Sequence, residues 1–409
     1  MGKGYRQMDQ MLLLAIFALI VVGIIMITSI GVPKSIQLSA PDVAYPDCSD
    51  SAVDCYLVLK KHLIRVIIGI IAFLACLKIN YKFWQKIAPA VFLVSIGLLI
   101  AVFIFGTANN TIARSWINVG FPFLSSIQPA EIAKLGLVIY LSTWLAKKTE
   151  NRNELNDWKQ GFLSFAVIAG LIVLPVMLQP DLGSSLVLAS IAAFMYFLGG
   201  APIKHLLVGV GIVLVFSSIA IAATEHLQER FGAFLTPSES CEEDYCWQSE
   251  QAKIAIGSGG LWGKGLTQGI QKSYWLPQAS DDFIFAASAE ELGFLRIILV
   301  VLLYAFIGYR GMKIAMHAPD KFSTMLAAGI TVWVISQAFI NIMVNISLFP
   351  ITGITLPFIS YGGSSIFTTM MGMGILLNIS KYTENHAYTS NRRRYGGTHY
   401  AKSRYSRPV

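Results

Sequence analysis

The residues best suited to chemistry in this chain are ionisable groups stranded at the ends of long apolar runs. Glu131 and Lys134 stand at i,i+3 on one face of an otherwise apolar helical stretch that opens with Gln128-Pro129-Ala130. Asp181 lies in the tight turn Gln179-Pro180-Asp181-Leu182-Gly183, and Asp281 and Asp282 close a long polar segment just before Phe283-Ile284-Phe285. Arg114 and Trp116 come shortly before Gln128, while Glu290, Glu291 and Arg296 follow inside the next apolar run. Each has an ordinary structural role open to it: a boundary ion pair for Glu131 and Lys134, a helix N-cap for the aspartates. Ionisable groups at membrane depth are costly, however, and usually face a bundle interior or a wet cavity. Carboxylates and cations gathered in such a place serve proton transfer and the holding of an anion. The Gly/Pro-rich segment 350–365, Pro350-Ile351-Thr352-Gly353 through Tyr361-Gly362-Gly363-Ser364-Ser365, adds irregular backbone, tolerated at this depth only where protein or water satisfies it. Several separate loops therefore converge on one outer vestibule.

The elements that must position these residues are membrane helices. With 55% hydrophobic and only 13% charged residues, the 409-residue chain is too apolar for a soluble globular domain. Its charges cluster between apolar runs, as expected when lipid is the solvent. Spans are predicted at 11–30, 62–79, 87–105, 129–146, 162–178, 184–198, 203–223, 283–309, 323–346 and 366–379. The fold class is thus an all-α polytopic membrane protein of about ten transmembrane helices, each long enough to cross a ~30 Å hydrocarbon core. Run 11–30 lacks a small-residue cleavage site and reads as an uncleaved first span. With a cytoplasmic N-terminus, about 20 of the 31 Lys and Arg fall inside, which satisfies the positive-inside rule. The membrane domain occupies 1–383, with a large extracytoplasmic loop, 224–282, between the seventh and eighth helices. Residues 384–409 form a basic cytoplasmic tail that reads as disordered and drawn to anionic membrane lipid; no folded nucleic-acid reader accompanies it.

Cysteines test the topology independently. Cys48 and Cys55 fall in the first outside loop and Cys241 and Cys246 in the large one, placing two local disulfides on the oxidising face. No CxxC or His cluster suggests zinc, and no internal repeat is visible. Within 224–282 the run Ile256-Gly257-Ser258-Gly259-Gly260 permits close approach of backbone to a ligand, but taken alone it reads as a flexible loop.

These segments resemble the shape, elongation, division and sporulation (SEDS) family, to which FtsW and RodA belong. The resemblance rests on Ala113-Arg114-Ser115-Trp116, 128–134, 179–183, 256–265, 272–293 and 350–365, in that order and spacing across nearly the whole chain. It implies a peptidoglycan glycosyltransferase that polymerises lipid II, the undecaprenyl-pyrophosphate-linked disaccharide pentapeptide, at the outer face of the bacterial cytoplasmic membrane. The catalytic aspartate of the family carries over to Asp282. The residue before it, usually Thr, is Asp281 here, so a second carboxylate stands beside the first. Ala130 replaces the Ser of the Gln-Pro-Ser-Glu motif, and Arg296 stands where a Gly is common.

Sugar transfer from a pyrophosphate needs an activated hydroxyl and a stabilised anionic leaving group. Asp282 is the expected general base, ionised by the start of the following helix, and no paired acid is needed because pyrophosphate leaves well. Arg114 and Lys134 are the expected counter-charges, with Glu131, Asp181, Lys272 and Ser364 as further substrate contacts. A divalent cation, Mg or Mn, is a possible companion of the pyrophosphate; the metal itself is not legible. The expected partner is a class B penicillin-binding protein, a transpeptidase, within the divisome or elongasome. The run 357–365 and the basic tail lean toward FtsW and septal synthesis. A RodA-like elongation polymerase, a lipid II flippase and a non-catalytic scaffold are the alternatives.

Overall fold

The computed structural model describes residues 8–41, 48–50, 53–107, 115–118, 120, 126–149, 152–235 and 244–383; the basic tail, Arg114 and Cys241 lie outside them. Helix α1 (Gln10–Ile30) is capped by Asp9, whose carboxylate accepts the Leu12 N–H at 3.0 Å and pairs with Arg310 at 2.6 Å. A short α2 (Val32–Ser39) follows, then α3 (Leu57–Lys78) and α4 (Tyr81–Phe105), with Asn80 as the α4 N-cap. Short strands β1 (Gly106–Thr107), β2 (Trp116–Asn118) and β3 (Ser126–Ile127) form an antiparallel ribbon, in which Thr107 faces Trp116 and Ile117 faces Ile127. This ribbon leads into α5 (Pro129–Lys148), whose first residue is the proline expected there, where a missing N–H costs nothing.

The bundle continues with α6 (Arg152–Asn156), a π-helical turn (Trp158–Leu163) running into α7 (Ser164–Leu178), α8 (Leu182–Leu198) and α9 (Ile203–Ala223). Then come α10 (Glu225–Leu235), α11 (Asp244–Gly259), α12 (Ile284–Leu292), α13 (Phe294–Met316), α14 (Lys321–Asn345) and α15 (Gly363–Ser380). Six of these helical stretches are long and apolar enough to cross a membrane: 10–30, 81–105, 158–178, 203–223, 294–316 and 321–345. The remaining predicted spans also fold as helices; α8 is apolar but shorter, and α5 carries Glu131 and Lys134. Helix α15 is buried along almost its whole length, against α3, α14 and α5, and forms the centre of the bundle. Helix α9 is the opposite case: His205 is its one buried residue, as suits an apolar helix that faces lipid.

Two expectations need correction. The predicted span 283–309 is broken at Gly293, which adopts φ +76° and separates α12 from α13. A Cβ there would lie 2.1 Å from the Gly263 nitrogen, so only glycine fits. Glu290 and Glu291 consequently belong to a separate short helix, α12. The run 256–260 is not a flexible loop either. It ends α11, which packs on α12 so closely that a Cβ on Gly259 would lie 2.2 Å from the Ala289 carbonyl oxygen. Gly259 serves helix packing. The segment 260–283 is held to α12 through Glu290, which accepts from the Ile270 and Gln271 N–H groups and pairs with Lys264 at 2.7 Å.

Cys48 and Cys55 are joined in a disulfide. Cys246 is disulfide-bonded as well, while its expected partner Cys241 lies outside the described residues.

Candidate active site

The site is organised by a polar stripe on α14. Gln337, Asn341 and Asn345 recur every four residues in an otherwise apolar helix, so all three project from one face. Asn341 and Asn345 each donate from Nδ2 to the backbone oxygen of Asp282, both at 2.9 Å. Asn341 also donates to the Ile354 carbonyl at 2.7 Å, and the Asn345 Oδ1 accepts the Ala286 N–H at 2.9 Å. One turn away, the Gln337 Oε1 accepts from Lys134 Nζ at 3.0 Å, and its Nε2 donates to the Thr355 carbonyl at 3.1 Å. The rise of a helix puts the two anchor points about 6 Å apart along the axis. Asp282 and Lys134, distant in sequence, are thus placed by one element.

Lys134 and Glu131 are almost fully buried, at 0% and 3% exposure, and pair at 2.8 Å. The second Glu131 oxygen, Oε2, is buried without a hydrogen-bond partner. Ser364 Oγ accepts the Gln128 N–H at 3.0 Å, and the Gln128 amide donates to Asp181 at 3.1 Å. Asp181 also caps α8 as expected, accepting the Ser184 N–H at 2.9 Å. Its turn lies against 350–365, since a Cβ on Gly183 would meet the Thr352 carbonyl oxygen at 2.5 Å. Glu131, Lys134, Asp181, Ser364 and Asp282 therefore share one connected neighbourhood. Lys272 does not join it: that ammonium pairs with Glu291 at 2.7 Å and binds Ser29 at 2.9 Å, bracing its segment against α1. Arg114 lies outside the described residues, although Trp116 in β2 follows closely.

The Asp282 carboxyl lies outside the spanning helices, in the turn before α12, and is half-buried. Burial pushes its pKa up to about 7, and the neighbouring Asp281 charge adds to the effect; Lys34 and Arg230 oppose it, and Asp181 raises it further. This reverses the sequence-based expectation that a helix start would favour ionisation. Helix α12 begins with Phe283 as its cap and uses no side-chain cap, so desolvation decides. A carboxyl titrating near neutral pH is matched to proton transfer at that pH.

Four further residues at the site escaped sequence reasoning. Lys34 of α2 ion-pairs with Asp281, and Arg65 of α3 stacks 4.4 Å from the Tyr361 ring centroid. Arg230 of α10 lies 5.0 Å over Tyr245 and reaches the Ile351 carbonyl at 3.4 Å. The fourth, Tyr361, donates its N–H to the Ser280 carbonyl at 3.0 Å. The amide stripe of α14, missed as well, carries a signal that could have found it, the i, i+4, i+8 pattern; the cations carry none, because each is a single charge on α2, α3 or α10 whose partners are remote in sequence. Among the described residues, no three His, Cys, Asp or Glu side chains are grouped to hold a metal ion.

A family model described as cell cycle protein, FtsW/RodA/SpoVE, matches residues 9–385. A probable peptidoglycan glycosyltransferase FtsW of Trichlorobacter lovleyi is 34% identical over 374 residues, covering 91% of this chain and 93% of that protein. The stage V sporulation protein E of Bacillus subtilis is 36% identical over 334 residues, covering 81% and 88%. Among solved structures, a chain of a peptidoglycan synthase complex that coordinates polymerization and crosslinking aligns with a TM-score of 0.70. It is 24% identical and covers 95% of this chain and 99% of that one. The Thermus thermophilus rod shape determining protein RodA aligns with a TM-score of 0.65 at 24% identity, covering 93% and 99%.

Proposed function

The chain belongs to the FtsW/RodA/SpoVE family of cell cycle proteins, and from that membership together with the site we infer a peptidoglycan glycosyltransferase of the bacterial cytoplasmic membrane. Its substrate on this reading is lipid II, and the observation that carries it is that one face of α14 anchors both the backbone of Asp282, whose carboxyl is pushed up to about 7, and the buried Lys134 ammonium. Asp282 takes the proton from the acceptor hydroxyl as that oxygen attacks the anomeric carbon of the donor sugar. The bond from that carbon to the pyrophosphate oxygen breaks, and undecaprenyl pyrophosphate leaves with the electron pair. Attack opposite the leaving group converts an α-linked donor into a β-linked glycan. Lys134, with Arg114 where the family motif puts it, compensates the pyrophosphate charge. Mg or Mn, if used, would travel with the pyrophosphate and borrow one or two carboxylates, since that mode needs no protein cage.

The likeness to proteins called FtsW supports a septal role. The positive-inside distribution supports cytoplasmic termini, ten crossings and an outward-facing site. A class B penicillin-binding protein is the partner that fits a polymerase needing its strands cross-linked. A flippase would need polar groups leading to both faces, whereas the polar cluster here is confined to one end of α14, α8 and α5. The test is polymerisation in detergent, where leaflets do not exist: the purified full-length chain is expected to polymerise lipid II and D282N is expected not to. A correctly folded D282N protein that still polymerises would remove the base from this mechanism.

A further inference from the structure

Asp281 is one of the residues in which this chain departs from the family pattern, and the structure gives it a dedicated partner. Lys34 pairs with the Asp281 Oδ2, reaches the Gln278 Oε1 at 3.4 Å, and lies 5.4 Å from the Tyr361 ring centroid. Its helix is fixed in place. Pro33 stands in the first turn of α2, and Ser35, 1% exposed, accepts the Val58 N–H at 3.1 Å and donates to the Gly31 carbonyl at 2.7 Å. On the other side, Ser360 Oγ donates to the Asp281 carbonyl at 2.6 Å, and the Tyr361 N–H donates to the Ser280 carbonyl. Lys34 thus ties α2 to both strands of backbone that enclose the Asp281–Asp282 turn.

We propose that Lys34 is a positioning residue for the base: by binding Asp281 and the face of Tyr361, it turns the extra carboxylate aside and compensates its charge, leaving Asp282 alone to accept the proton. This rests on the reading of Asp282 as general base. Two consecutive carboxylates in a buried turn repel, so one of them holds a proton to higher pH. A fixed cation on the first relieves the second. The other groups facing Asp282 are Asp181 at the start of α8, which opposes ionisation, and Arg230 of α10, which favours it. Helix α14 presents only the neutral Asn341 and Asn345, and the 350–365 segment presents Gly353 backbone, 3.6 Å from Asp282 Oδ2 to a notional Cβ.

The test is the pH dependence of kcat/KM for lipid II polymerisation by the full chain with its class B transpeptidase, for the parent, K34M, K34R, D281N and K34M/D281N, after D282N has been confirmed inactive. Losing Lys34 moves the acid limb upward, so that K34M is about 10-fold slower than the parent near pH 6.5 yet within ~3-fold of it at pH 9. K34R restores the parental limb, D281N moves it to lower pH, and the double variant returns toward the parent. A K34M loss equal at every pH, or a limb that stays put, overturns the proposal. Should K34M not fold, D281N decides, because an unmoved limb there refutes it too. An active D282N would instead overturn the base assignment itself, and Lys34 with it.

Discussion

Replacing Asn341 by leucine tests whether α14 really sets the position of the base. The two side chains share one branched shape and the same number of heavy atoms, so the change falls mainly on the hydrogen bonds. Asn341 Nδ2 serves two buried carbonyls, Asp282 O at 2.9 Å and Ile354 O at 2.7 Å. The Asp282 oxygen keeps its bond from Asn345, so its loss is one of two donors, about 1 kcal/mol. The Ile354 oxygen has no second described donor and carries the desolvation penalty of an unpaired acceptor, about 1–3 kcal/mol. Together N341L costs about 2–4 kcal/mol of stability. The turn that carries Asp282 is also freed on one side, and a displacement of ~1 Å at the reacting centre lowers a rate about 100-fold. Thermal unfolding in detergent and single-turnover polymerisation of lipid II measure the two effects separately. The reasoning predicts a folded, monodisperse N341L protein with kcat depressed about 100-fold and lipid II binding little changed. Parental kcat together with parental stability would show that the stripe does not hold the base, and the geometric argument would fail.

Two other predictions follow from the same site. Asp282 has a folded pKa near 7, above its ordinary value of 3.8, so between those values the folded chain holds a proton that the unfolded chain has released. Stability from this group therefore falls as pH rises from about 4 to about 7 and is flat above that. D282N, though inactive, should accordingly unfold at a higher temperature than the parent at pH 8 and at an equal one near pH 4; the opposite ordering would contradict the assigned shift. K134M leaves Glu131 buried without its cation and should cost about 3–5 kcal/mol. Adding E131Q should recover most of the stability without recovering polymerisation, whereas full recovery of both would make the pair purely structural.

Much of this was legible in the chain and some was not, for identifiable reasons. Runs of apolar residues between charge clusters placed a helix at every predicted span, because a bilayer admits little else. Pro129 at a helix start and Asp181 as a cap were readable because their causes lie within four residues. The break at Gly293 was not readable, because its cause is remote. Residues 261–263 occupy the space where a side chain would go, with the Trp262 carbonyl carbon 2.4 Å from the notional Cβ. Likewise the protonation tendency of Asp282 could not be read from helix position, since it is set by burial and by charges on α2, α8 and α10. Lys272 illustrates the reverse error: a cation within a family motif is used here to neutralise Glu291.

Asp282 stands just before α12, a helix of nine residues that the break at Gly293 ends. The interlock of Gly263 with Gly293 stops α13 and lets the short α12 leave its axis, with the Phe294 N–H donating instead to the Gly260 carbonyl at 2.9 Å. The turn before α12 is held by three independent attachments. Amides of α14 hold its backbone, Ser360 and Tyr361 hold its preceding residues, and Lys34 holds Asp281. None of the three binds the Asp282 carboxyl itself. The backbone is therefore fixed while the reacting group keeps its lone pairs for an incoming hydroxyl, the division of labour a general base requires.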